Sequence, residues 1–148
     1  MDRFKEFTVL ISKISRLIHK IKIEEMSEYG LKGHYVSSLY YVYKYDGTLT
    51  AKELCDICYE DKGAISRSLK YLEGSGYIKS DSNSAKKYKS VLHLTPKGRE
   101  VAKDIVAKID GVLDVSSIGV SDSDRDILYK SLSIICDNLT TICDKYGD

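Results

Sequence analysis

The sequence predicts a mainly α-helical fold carrying one small β-hairpin, and three observations predict it. Apolar residues recur at spacings of three and four through most of the 148 residues, the signature of helices with one buried face. Helix starts are written in capping side chains, at Thr50-Ala51-Lys52-Glu53 and again at Ser121-Asp122-Ser123-Asp124. Pro96 is the single proline, so little interrupts those helices, and only residues 77–94 hold strand-like runs.

In order along the chain, Phe4, Phe7, Ile11, Ile14, Ile18 and Ile21, widened by Leu10 and Leu17, form the seam of a long first helix. Tyr29-Gly30-Leu31-Lys32-Gly33 is a connection. Val36, Leu39, Tyr40 and Tyr43 then line the inner face of a second helix that stops at Asp46-Gly47. The Thr50/Glu53 capping box opens a third helix, with Leu54, Ile57 and Cys58 turned inward. Asp61 caps a fourth, in which Ile65, Leu69 and Leu72 share one face and Gly74-Ser75-Gly76 ends the run. Residues 77–79 and 89–94 are strand-like and flank a polar, basic tip from Ser80 to Lys87. Thr95-Pro96 opens a fifth helix through Val101, Ile105, Ile109 and Val112. A last helix carries Leu128, Leu132, Ile135, Leu139, Ile142 and Tyr146 at spacings of four and three.

At 43% hydrophobic and 30% charged residues, the chain suits one globular domain with an ordinary core, expected to span 1–148. No apolar stretch reaches the roughly 18 to 20 residues of a membrane span. The N-terminus mixes charges of both signs, unlike a signal peptide, so the expected location is the cytoplasm. Four cysteines in that compartment are expected as free thiols. Net charge is +1, but from Lys62 to Arg99 nine Lys/Arg face only Glu73 and Asp81, a local +7 that leaves −6 elsewhere.

Two short capped helices joined by a tight turn, followed by a basic hairpin, make a helix-turn-helix with a wing. Gly63, Ala64 and Ser66 keep the entering end of the fourth helix slim, while Lys62, Arg67 and Lys70 reach phosphates or the acceptor edge of guanine. Lys86, Lys87 and Lys89 of the wing are placed to reach flanking backbone or the minor groove. The first, fifth and last helices hold more apolar surface than a small domain hides, which predicts a homodimer. The expected division is 1–32 and 100–148 for dimerisation and 33–99 for the DNA-binding lobe.

At this point the sequence resembles the MarR regulators. Thr50-Ala51-Lys52-Glu53-Leu54, Asp61-Lys62-Gly63-Ala64-Ile65-Ser66-Arg67-Ser68-Leu69, Leu72-Glu73-Gly74-Ser75-Gly76-Tyr77 and Leu92-His93-Leu94-Thr95-Pro96-Lys97-Gly98 match that family's central motifs in order and spacing. The resemblance implies a winged helix-turn-helix lobe with long dimerising helices, in a dimeric repressor or activator whose fourth helix enters the major groove. Ser66 and Arg67 fall where that family makes many of its DNA contacts. One departure stands out: the family's wing carries an Asp-x-Arg pattern where this chain reads Lys86-Lys87-Tyr88. Lysine point-charge contacts to phosphate are expected there instead, with Tyr88 at the base of the wing.

Other side chains admit a functional and a structural reading. His34, Tyr35, Tyr40 and Tyr43 on the second helix border, in the resembled family, a cleft for a small-molecule effector, although aromatic helix residues are more often core. Cys55-x-x-Cys58 and the pair Cys136 and Cys143 are candidate redox thiols, or packed cysteines. His19, His34 and His93 stand singly, so no metal site and no cofactor is expected. No phosphate-binding glycine loop, nucleophile elbow or paired-carboxylate motif points to an enzyme. The alternatives left open are a winged-helix protein-interaction module without DNA binding and a dithiol enzyme using Cys55 and Cys58.

Overall fold

The computed structural model describes residues 2–81 and 89–146. Among these the helices and strands follow the expected order: α1 (Arg3–Glu25), α2 (Gly33–Lys44), α3 (Ala51–Cys58), α4 (Lys62–Gly74), β1 (Ile78–Ser80), β2 (Leu92–Leu94), α5 (Pro96–Ser116) and α6 (Asp122–Cys143). A 3-10 turn, Ser27–Tyr29, joins α1 to α2, and Gly30 closes it in the left-handed conformation. The chain divides into two compact units, Met1–Asp110 and Gly111–Asp148.

The core lies in the first unit. Val36, Leu39 and Val42 of α2 are buried with Leu54 of α3, Ile65 and Leu72 of α4, Ile78 and Leu92 of the hairpin, and Ala102 and Ile105 of α5. The inner face of α2 differs from expectation in one respect. Val36 and Leu39 are buried as predicted, but Val42 and Ser38 complete the face while Tyr40 and Tyr43 lie half-buried against its margin. A phenol buries its ring more readily than its hydroxyl, so the smaller neighbours take the centre. The Ser38 hydroxyl donates to the His34 carbonyl at 3.0 Å and so enters the core satisfied.

The connection between α1 and α2 is held onto α5. Tyr29 donates its hydroxyl to the Asp104 carboxylate, and Lys108 pairs with Glu28 while donating to the Glu25 carbonyl at 3.2 Å. α1 itself offers a different surface to each side. Lys22 donates to Ser37 of α2 at 3.1 Å, yet Phe7, Leu10, Ile11, Ile14, Leu17, Ile18 and Ile21 stay between 37% and 57% exposed.

In the second unit, Ser121 caps α6 by accepting from the Asp124 amide at 3.1 Å, as the capping pattern predicts. No described residue of α6 is buried. Leu132 and Ile135 are half-buried, and Leu128, Leu139 and Ile142 remain exposed along the predicted seam.

Candidate nucleic-acid interface

Three residues separate α3 from α4. α3 starts in a complete capping box: the Thr50 hydroxyl accepts from the Glu53 amide at 3.3 Å, and the Glu53 carboxylate accepts from the Thr50 amide at 2.8 Å. The Thr50 hydroxyl also donates to the Glu53 carboxylate at 2.7 Å, and this bond first, with the Thr50 amide second, holds the Glu53 carboxyl below the usual carboxylate range. α3 ends at Tyr59, which takes the left-handed conformation (φ 52°) usually left to glycine and stands 80% exposed. Asp61 then caps α4 by accepting from the Ala64 amide at 2.9 Å.

α4 is two-faced. Ile65, Ser68 and Leu72 are buried and Leu69 packs beside them. Ser68 is a core residue the apolar pattern does not reveal, and its hydroxyl is satisfied by the Ala64 carbonyl at 3.0 Å. On the remaining surface Lys62, Ser66, Arg67 and Lys70 are exposed and Gly63 is half-buried. Positions 63, 66, 67 and 70 follow the three-four rhythm of a single helical stripe. The structure therefore brings the five predicted recognition residues onto one helix.

The helix is locked at its far end. Gly76 is left-handed (φ 74°), its amide bonds to the Glu73 carbonyl at 3.0 Å, and the Tyr77 amide reaches the Leu72 carbonyl at 2.9 Å. That pair of bonds is a Schellman closure. The start of α5 clasps the same corner. Thr95 donates its hydroxyl to the Gly76 carbonyl at 2.6 Å and accepts from the Gly98 amide at 3.0 Å, while Lys97 donates to the Ser75 carbonyl at 2.9 Å. Gly98 lies against Tyr77 so closely that a Cβ would fall 1.8 Å from the Tyr77 carbonyl oxygen.

The hairpin pairs Ile78 with Leu94, Lys79 with His93 and Ser80 with Leu92. Ile78 and Leu92 point into the core and Lys79 outward. The segment before α3 joins the same small sheet, through a bridge from Thr50 to Val91 and a bond from the Leu92 amide to the Leu49 carbonyl at 2.8 Å. At the wing root His93 Nε2 lies 3.1 Å from Asp81 Oδ1, and Ser80 donates to the Glu73 carboxylate. Of the predicted wing lysines, Lys89 is exposed. Lys86, Lys87 and Tyr88 lie outside the described residues.

A concavity of about 280 Å³ between α3, α4 and the hairpin is lined in part by Cys55, Lys62, Ser66 and Lys70. A second, of about 370 Å³, is lined by Asp46, Lys79, Asp81, His93 and Arg99 among others. Neither is lined by His34, Tyr35, Tyr40 or Tyr43. His34 is exposed; Tyr35 stacks on Tyr71 of α4 with ring centroids 4.4 Å apart; and Lys44 lies 5.5 Å over the Tyr40 ring.

Burial pushes the Cys55 thiol up and the Cys58 thiol up to about 11, with Asp56 and Glu60 respectively adding to the effect. A thiol so placed keeps its proton at neutral pH and is a weak nucleophile. Cys136 and Cys143 are exposed on α6. Among the described residues no group of three His, Cys, Asp or Glu is placed to hold a metal ion, and no helix is long and apolar enough to cross a membrane.

Residues 29–86 match the model of the MarR family. That segment covers α2, α3, α4 and β1. No curated protein matches the chain in sequence. Solved structures are similar over nearly its whole length. NMB1585, a MarR family regulator from Neisseria meningitidis, is 18% identical with a TM-score of 0.84, covering 99% of this chain and 100% of its own. A MarR-family regulator from Listeria monocytogenes complexed with a 26mer DNA is 23% identical with a TM-score of 0.82, covering 100% and 97%. The S. aureus MepR–DNA complex is 15% identical with a TM-score of 0.78, covering 90% and 97%.

Proposed function

We propose that this winged helix-turn-helix chain, of the MarR family by its matched segment and its fold, is a sequence-specific duplex-DNA-binding transcriptional regulator and not an enzyme. The observation that carries the proposal is α4. Its inner face is anchored in the core by Ile65, Ser68 and Leu72, and its outer face presents Gly63, Ser66, Arg67 and Lys70 in one stripe. A rigidly backed helix with a slim, basic face suits a major groove. Two of the similar solved structures are DNA complexes, which supports the same use of the fold here.

In this reading the protein acts as a homodimer. The exposed apolar seam of α1 and the uncovered seam of α6, with the end of α5, are the surfaces a second copy covers. Two fourth helices then enter successive major grooves about 34 Å apart on a pseudo-palindromic operator. Lys89, with Lys86 and Lys87, supplies phosphate contacts beside each half-site. The mode of action is repression, relieved by a small molecule near His34, Tyr35, Tyr40 and Tyr43 or by oxidation of a thiol. Cys136 and Cys143 are the exposed thiols of the four.

Selection from a random duplex library by the purified protein tests the reading. The expected result is enrichment of two inverted half-sites spaced by one helical turn. Failure to enrich any duplex, together with capture of none at low salt, overturns DNA binding.

A further inference from the structure

The wing root carries an ion pair that ties the two arms of the hairpin together through their side chains. Asp81 follows the last residue of β1 and His93 is the middle residue of β2, and Nε2 of the imidazole lies 3.1 Å from Oδ1 of the carboxylate. The Asp81 amide also bonds to the Val91 carbonyl at 3.2 Å. Behind the pair the ring packs against Gly47, where a Cβ would lie 3.0 Å from the His93 Nδ1. The turn after α2 thus closes the Nδ1 edge and leaves the Nε2 edge to Asp81. Among the described residues, the other charges lining this concavity are Lys79, which stands opposite His93 in the strand register, and Asp46 and Arg99, which pair with each other at 2.8 Å.

We infer that His93 and Asp81 are positioning residues for the wing: their pair holds the arm bearing Lys89 for its phosphate contact when the imidazole is protonated, and slackens when it is neutral. The inference rests on the DNA-binding reading above. Imidazole is the side chain that ordinarily gains and loses its proton between about pH 5 and 8. Protonated, it meets the carboxylate in a charge-assisted hydrogen bond, roughly twice as strong as a neutral one. Asp81 favours that charge and Lys79 opposes it, while Asp46 and Arg99 offset each other. Lys89 is exposed and lies just before Val91, whose carbonyl already bonds to the Asp81 amide, so a tighter contact between His93 and Asp81 fixes the stretch that leads to it. An arm fixed in the free protein loses less entropy on binding. DNA affinity therefore rises as pH falls, over a range in which lysine and arginine side chains stay charged.

The test measures affinity for the duplex that the wild-type protein enriches, at about pH 6 and about pH 8 and at constant ionic strength. The wild type is expected to bind roughly two- to fivefold more tightly at the lower pH, the scale of one partly exposed charge pair. His93→Gln keeps a polar side chain that does not titrate and Asp81→Asn keeps a carboxamide without the charge, with the fold of each checked by circular dichroism. Each is expected to lower the ratio of the two affinities by the same factor, and the double variant by no more than either, because the two residues act as one pair. Lys89→Gln leaves the pair intact and is expected to lower the ratio likewise, because the pair acts through that lysine. A wild-type ratio of one overturns the inference, as does a His93→Gln that keeps the full ratio, which puts the proton on another group. An Asp81→Asn or a Lys89→Gln that keeps it overturns the inference too, since the imidazolium then acts on the DNA directly. A wild-type protein that binds no duplex at either pH overturns instead the DNA reading beneath it.

Discussion

Single residues with no spare room hold the corner between α4 and α5. Gly98 is the clearest, since the atom a Cβ would strike is the Tyr77 carbonyl oxygen, part of the backbone. Gly98→Ala is expected to cost about 3 kcal/mol, the upper end for overpacking, read as a lower urea midpoint with unchanged slope. The run Thr95-Pro96-Lys97-Gly98 announces a helix start in the sequence, but nothing local to it shows that the glycine is obligatory. That requirement comes from Tyr77, which precedes β1 and lies well upstream in the chain.

Cys58 supplies a prediction in pH. Its thiol holds a proton more tightly in the folded chain, up to about 11 against an ordinary 9.0. Its stabilising contribution is therefore whole below about pH 9 and is lost as pH rises toward about 11, where the unfolded chain gives up the proton first. Cys55 and Tyr41 are raised by burial too and act with the same sign. Cys58→Ala is expected to make the alkaline fall in stability shallower, measured by denaturant titration from pH 8.5 to 11. At pH 8 a thiol reagent is expected to label the exposed Cys136 and Cys143 well before Cys58.

Among elements, α3 and α4 were the most legible, because a helix start is a local event. Thr50 with Glu53 and Asp61 with the Ala64 amide do in the structure what their spacing announces. Thr50→Ala is expected to cost about 1 kcal/mol, the usual worth of a cap, measured by thermal or urea unfolding. Because its partner's carboxyl is lowered by these bonds, that loss is expected in full near neutral pH and to shrink as acid titrates Glu53 through its lowered range. The hairpin was less legible. Its strands were expected at 77–79 and 89–94 and are Ile78–Ser80 and Leu92–Leu94. Part of its pairing comes from Leu49 and Thr50, a contact that no short window of sequence contains. The inner face of α2 was half legible for a related reason. Periodicity located Val36 and Leu39 but could not rank Val42 above Tyr43, a choice made by what the neighbouring helices leave room for.

For the whole molecule, charge and apolar surface are sorted along the chain. The +7 segment from Lys62 to Arg99 contains α4 and the hairpin, while α1 and α6 carry the exposed apolar seams. The exposed placement of Ser66, Arg67 and Lys70 on α4 was legible because it needs only helical spacing plus the knowledge of which face is core. The aromatic group on α2 was not, since Tyr35 finds Tyr71 of α4 through tertiary packing. On the proposed homodimer, the wild type is expected to sediment as a dimer and a doubly charged α1 seam, Ile14→Glu with Leu17→Glu, as a monomer. With one half-site lost per molecule, affinity for a two-half-site duplex is expected to fall by roughly two orders of magnitude.

The central claim is that the outer face of α4 meets DNA, and fluorescence anisotropy across a series of salt concentrations tests it most directly. The wild-type protein and a Lys62→Glu/Arg67→Glu/Lys70→Glu variant are titrated against a duplex from the chain's own upstream region and against a scrambled one. The account predicts preferential wild-type binding that weakens steeply with salt, as released counterions require, and its loss in the folded variant. Equal binding by the variant, or no wild-type binding to either duplex at low salt, would contradict it.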